Sequence, residues 1–244
     1  MFLLKNIKFF LNDLDISIAK SFFYFQCSFR YVVKDFFKTK FSLFKFSNNF
    51  EIKKGSIKIE KFNENYSENF VKRTLYSQYI TKDELDYNLK KIIDENYNHI
   101  TSYLGKNFLH DKTIIYRNFN FLEEFNDYDV YSNIWHQDTH DGKRLLRIFL
   151  LIENVDEKNG PLVILNREQT KKYWKLLKDR YTVHNQNSRI DFENQIAFTG
   201  KKGDYLIVDT SNCMHRAGIP ENTRDMMQVT LYPNWMKKEG RKVY

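Results

Sequence analysis

Apolar positions change period along this chain, and each change marks a different kind of element. Phe22, Phe25, Phe29, Val32, Val33, Phe36 and Phe37 recur at three- and four-residue spacing, with Arg30, Lys34 and Lys38 in the other positions. That is the pattern of an amphipathic helix packed on a core with its cations in water. A second helical stripe follows Thr81-Lys-Asp-Glu84, which has the form of a capping box, and runs through Leu85, Leu89, Ile92, Ile93, Ile100 and Leu104 to a glycine stop at Gly105. One helix of about 22 residues over 82–104 is therefore expected, covering one face of a sheet.

After Gly105 the texture becomes short apolar runs bounded by Asn, Asp and Gly: 113–119, 145–152, 161–164, 205–208 and 227–232. These are expected to be strands. They lie too close together, with too few helices between them, for a regular alternating parallel sheet. The fold class that follows is mainly β with flanking helices, an antiparallel jelly roll. One inserted helix is expected after Asn166, where Tyr173, Trp174, Leu176 and Leu177 share a stripe. With the polar run His184 to Asp191 it makes 166–199 a lid over the core, the kind of segment that sets substrate choice. A chain of 244 residues is absorbed by one core. Residues 81–244 form that domain, and residues 1–80 are expected to be a basic, aromatic-rich extension packed on it.

Composition narrows the class. Hydrophobic residues at 42% and charged residues at 29% exclude a disordered chain, and 8 Gly with 3 Pro exclude linker-dominated sequence. The chain carries 22 Phe, 16 Tyr and 24 Asn but three Ala, so its aromatic residues are a general bias and poor evidence for a ligand site. Of the formal charge of +8, residues 1–60 supply +6, from eleven Lys/Arg against five Asp/Glu. The basic excess belongs to the extension, and no nucleic-acid partner is expected. A weak contact with an anionic membrane surface through residues 1–46 stays open. No run approaches the roughly eighteen apolar residues of a spanning helix, and Lys5 and Lys8 interrupt what would be a signal peptide. Cys27 and Cys213 make no disulfide framework and no zinc cluster, so a cytoplasmic, reducing location is expected.

The candidate chemistry lies in Trp135-His136-Gln137-Asp138. On an extended segment residues two apart point the same way, so His136 and Asp138 form a two-toothed claw. His215 completes it, delivered by the run that Gly203-Asp204 opens. Two imidazoles and one carboxylate occupy one triangular face of an octahedral metal, which suits Fe(II) with a chelating co-substrate and O2. Arg224 stands nine residues beyond His215. Its permanent charge and planar fork suit the far carboxylate of a dicarboxylate, namely 2-oxoglutarate. In a strand over 113–120, Tyr116 and Asn118 share one face and Arg117 the other. Arg147, the one cation between Leu145 and Ile152, is either an inward binder of an acid or an outward surface cation. Cys213 lacks a neighbouring base and is a small buried residue, while His99, His110 and His184 lack partners at useful spacing.

Together, Trp135-His-Gln-Asp138, Leu145-Leu-Arg-Ile-Phe-Leu-Leu-Ile152, Asp156-Glu-Lys-Asn-Gly-Pro-Leu162, and Gly203-Asp204 leading to His215-Arg-Ala-Gly218 resemble the phytanoyl-CoA dioxygenase family over about residues 110–234. The resemblance implies a double-stranded β-helix (jelly roll, cupin-like) with iron at His136, Asp138 and His215. It also implies 2-oxoglutarate anchored by Arg224, with Tyr116 and Asn118 as further contacts on the strand before the claw. The activity implied is a dioxygenase that hydroxylates an unactivated C–H bond of a small-molecule or lipid-like substrate, releasing succinate and CO2. Asp138 retains the iron carboxylate, which disfavours halogenation. Two positions depart from the family: Ala217 stands where a hydroxyl residue is usual, and Arg224 comes two residues earlier than usual after the distal His, which keeps Arg216 in view. Two other classes remain open, a jelly-roll binding protein with an idle metal site and a membrane-surface adaptor acting through residues 1–46.

Overall fold

A computed structural model describes residues 33–40, 46–62, 66, 70–74, 77–120, 131–138, 142, 144–177 and 192–244. The expected helix over Phe22–Phe37 lies outside them up to residue 32. Residues 33–40 are helical (α1), with Phe36 and Phe37 exposed. There follow β1 (Lys53–Ser56), β2 (Val71–Thr74), β3 (Ser77–Lys82), α2 (Tyr87–Glu95), α3 (Tyr97–Leu104), β4 (Leu109–His110) and β5 (Thr113–Phe119). Then come β6 (Leu146–Leu151), β7 (Leu162–Ile164), α4 (Arg167–Leu177), β8 (Ile196–Phe198), β9 (Asp204–Val208), β10 (His215–Ala217), β11 (Thr223–Tyr232) and β12 (Lys242–Val243). Among the described residues no helix is long and apolar enough to cross a membrane.

Two antiparallel sheets make the core. The larger runs β1-β9-β6-β11-β5-β3-β2, with β4 and β12 attached beyond the path, and the smaller runs β10-β7-β8. Strand alternation sorts the side chains. On β6, Leu146, Ile148 and Leu150 enter the cluster beneath α2 and α3, whereas Phe149 and Leu151 enter the cluster with Leu162, Ile164 and Phe198 of the smaller sheet. On β11, Met227, Val229 and Leu231 face the helices and Met226 faces the smaller sheet. Leu89, Ile92, Ile93 and Ile100 are fully buried, each contributing roughly 1.5–3 kcal/mol. The architecture is mainly antiparallel β with flanking helices: the expected jelly roll.

The 82–104 helix needs correction. Thr81 and Lys82 belong to β3, opposite Ile114 and Thr113 of β5, so their backbone groups serve a sheet ladder and not a helix cap. Asp86 is the cap, accepting from Asn88 N at 2.9 Å. The helix also breaks at Asn96, whose side chain donates to Ile92 O (2.8 Å) and Tyr205 Oη (3.0 Å). Residues 53–80, assigned from sequence to the extension, supply β1, β2 and most of β3 in the larger sheet. β1 and β2 are its two ends and are polar, Lys-Lys-Gly-Ser and Val-Lys-Arg-Thr, which suits edge positions and hides them from hydrophobic patterning. In the lid span 166–199, α4 and β8 are defined and residues 178–191 lie outside the described set; β8 is a core strand paired with β7. Gly203, with φ of +100°, turns the chain into β9; a Cβ there would lie 2.2 Å from the Ile57 carbonyl oxygen.

Candidate metal centre

His136 and His215 are brought together by backbone before side chains enter. Each donates its N–H to the other's carbonyl, at 3.0 and 2.9 Å, a single antiparallel bridge that adds the His136 segment to β10. Period-two geometry then puts Asp138 on the His136 side of its segment, where its N–H donates to Thr210 O at 2.9 Å. One ligand atom from each of His136, Asp138 and His215 lies within 4.8 Å of the others, and all three residues are buried.

Orientation decides what the imidazoles can do. His136 Nδ1 faces Ile134 O at 2.7 Å and His215 Nδ1 faces Cys213 O at 3.2 Å. A carbonyl only accepts, so these contacts place the proton on Nδ1 and leave Nε2 as a lone-pair donor, the tautomer a metal ligand needs. Both Nε2 atoms look at the same carboxylate: His136 to Asp138 Oδ1 at 3.9 Å, His215 to Oδ2 at 3.5 Å. Burial acts to raise the Asp138 pKa, but Arg147 and then the two histidines overcome it and hold the carboxyl well below the usual range. Once both imidazoles give up their Nε2 protons, as metal binding requires, two nitrogen donors and a carboxylate are a donor set that fits Fe(II).

The loop between β9 and β10 is held by residues that sequence reasoning passed over. Asp209, itself buried, accepts from Ser211 N (3.0 Å), Ser211 Oγ (2.6 Å), Asn212 N (3.2 Å), Asn212 Nδ2 (2.7 Å) and the Tyr103 hydroxyl. Burial raises the Asp209 pKa against these bonds. Thr170 on α4 accepts from Met214 N at 2.9 Å, so the inserted helix also fixes the residue before His215. The run Asp209-Thr-Ser-Asn212 is a side-chain-to-backbone turn signal legible in the sequence; nothing local announces Thr170.

On the facing sheet, Arg224 pairs in register with Asn118, and Met226 with Tyr116. β11 begins four residues before the apolar run suggested, so Arg224 lies within a strand. Arg224 is fully buried; Nη2 donates to Asn118 Oδ1 at 2.9 Å, while Nε and Nη1 have no partner among the described residues. Burial pushes its pKa down, and the charges of Tyr116 and Glu153 offset only part of that. A carboxylate would supply what those N–H groups lack. Tyr116 belongs to the cluster between the sheets and its hydroxyl lies 3.2 Å from Met226 Sδ. Arg117 points the other way, to Asp225. Arg216 lies over the Trp135 ring at 5.4 Å, on the opposite side of β10 from His215, and Trp135 is core. Arg147 points inward, with Nη2 3.0 Å from Asp138 Oδ2. Cys213 is buried, and burial followed by the Asp209 charge pushes its thiol up to about 12, too high for a nucleophile.

No family model and no curated protein matches the chain. Among solved structures it is similar to EctD from S. alaskensis with bound Fe: 15% identity, TM-score 0.45, over 71% of this chain and 63% of that one. It is also similar to HygX from Streptomyces hygroscopicus with nickel and 2-oxoglutarate bound, at 12% identity and TM-score 0.45, over 68% of this chain and 74% of that one. A third is the non-heme alpha ketoglutarate dependent epimerase SnoN from nogalamycin biosynthesis, at 11% identity and TM-score 0.42, over 68% of this chain and 66% of that one. The chain thus spans less than two thirds of the EctD chain's length.

Proposed function

We propose that this chain is an Fe(II)- and 2-oxoglutarate-dependent dioxygenase, of the kind resembling phytanoyl-CoA dioxygenases, that hydroxylates an unactivated C–H bond of a small-molecule or lipid-like substrate. The observation that carries it is two imidazoles, each tied through Nδ1 to a carbonyl, turning Nε2 toward one buried carboxylate.

His136, Asp138 and His215 would hold Fe(II). Arg224 would bind the distal carboxylate of 2-oxoglutarate through the N–H groups that lack a partner, and Asn118 fixes the plane of that guanidinium. Tyr116 would line the same chamber. Iron so held supplies the redox chemistry that couples decarboxylation of 2-oxoglutarate to succinate and CO2 with transfer of one oxygen atom of O2 to the substrate. The apolar walls, Phe149, Leu151 and Met226, keep water from that chemistry. Within the span expected to be a lid, α4 keeps that role in the same proposal, tied through Thr170 to the loop preceding His215, while β8 belongs to the core. A buried Cys213 supports a reducing, cytoplasmic setting.

The test is Asp138→Ala. Succinate production from 2-oxoglutarate with Fe(II) and O2 is expected to fall by at least ~1000-fold, since the variant lacks the only anionic donor of the set. Unchanged succinate production would overturn the assignment.

A further inference from the structure

Arg147 is the one charged residue in an otherwise apolar strand, and the fold has no use for it there. It stands opposite Thr230 and Val208 in register and reaches Asp138, beside Phe149. A buried ion pair is weak evidence of stabilisation, because an apolar side chain of similar volume serves as well or better. Arg147 is therefore best explained by what it touches, and its one anionic contact among the described residues is Asp138 Oδ2 at 3.0 Å, an ion pair and not an aligned hydrogen bond.

That contact divides the carboxylate. Oδ2 is drawn to the guanidinium at 3.0 Å and lies 3.5 Å from His215 Nε2, while Oδ1 faces His136 and has no Lys or Arg beside it among the described residues. A carboxylate can give a metal one oxygen or both. With both given, two histidines and Asp138 would fill four of six octahedral positions, and a chelating dicarboxylate would take the other two. Nothing would remain for O2. Resting on the function proposed above, we infer that Arg147 is a positioning residue that restricts Asp138 to one-oxygen coordination and so keeps three positions on the metal open. Arginine suits the task better than lysine, because its planar fork has one fixed orientation, here braced by the Phe149 ring 5.9 Å away.

The experiment loads the full chain with Mn(II) and counts exchangeable metal-bound waters by the broadening of its EPR lines in oxygen-17 water. Wild type, Arg147→Met and Arg147→Leu are compared, with thermal melts recorded for each. The two variants remove the cation while keeping an apolar side chain suited to the strand, so one serves if the other fails to fold. About three waters are expected in the wild type and about two in either variant. Mn(II) affinity should rise at least ~10-fold as a like charge is lost. Three waters in the variants, at unchanged affinity, would overturn the role of Arg147 while leaving the metal centre intact. A wild type that binds Mn(II) no better than Asp138→Ala would overturn the metal centre itself, and the role of Arg147 with it.

Discussion

Arg117 and Arg224 sit on adjacent antiparallel strands, one residue apart in register, and face opposite sides of the same sheet. Arg117 forks onto Asp225 with two contacts of 2.7 Å, and the Tyr66 hydroxyl donates to the same carboxylate at 2.6 Å. Arg224 is more deeply buried, yet its one hydrogen-bond partner among the described residues is the neutral Asn118, and the Glu153 charge acts on it without a hydrogen bond. The first cation brings its anion from within the chain and fastens residue 66 to the sheet. The second is left with two N–H groups unanswered among the described residues, a cost of several kcal/mol that the proposed 2-oxoglutarate carboxylate would offset. Residue type and burial do not separate a structural arginine from a binding one; what fills its hydrogen bonds does.

The sharpest way to break this contrast is Arg224→Met. Binding of 2-oxoglutarate to the Mn(II)-loaded chain, followed by calorimetry, should weaken at least ~100-fold, roughly 3 kcal/mol for a buried charge-assisted pair. The urea midpoint of the metal-free chain should hold or rise, because an unpaired buried charge has gone. A fall in stability with unchanged 2-oxoglutarate affinity would reverse the roles of the two arginines. Asp225→Asn should do the opposite, destabilising by about 2–3 kcal/mol in urea titration. The figure is set below that of a wholly buried pair because the Arg117 side chain is 29% exposed and water can reach it. Affinity for 2-oxoglutarate should stay within about twofold.

The smallest effect concerns Glu153, which accepts from Asp225 N at 2.6 Å. Burial first, and then the Asp225 charge, raise its pKa. A carboxyl raised in the folded state contributes stability that is complete below its unfolded pKa, about 4.3, and is lost as pH rises through the folded value. Glu153→Gln should therefore match wild type near pH 4 and melt a degree or two higher at pH 7; an equal difference at both pH values would detach Glu153 from the Asp225 cluster.

How much of this could be read beforehand follows from the range of each signal. His136 and Asp138 were visible because two-residue spacing suffices to align side chains in an extended segment. Arg147 could be recognised as anomalous in an apolar run, but its partner lies across the sandwich, beyond local pattern. β1 and β2 carried no hydrophobic alternation, since edge strands gain little by burying both faces. Thr81-Lys-Asp-Glu84 has the letters of a cap, yet pairing with β5 claimed Thr81, and Asp86 took over the helix start. Tertiary pairing outweighed local propensity there. The Arg117–Asp225 pair was equally hidden: 108 residues separate its members.

Because the main chains of His136 and His215 hold one another through a mutual pair of N–H to carbonyl bonds, the separation of their two Cα atoms is set by the chain itself. Such a socket is shaped in advance: an arriving cation has little chain entropy to overcome, and a departing one leaves the donors in place for the next.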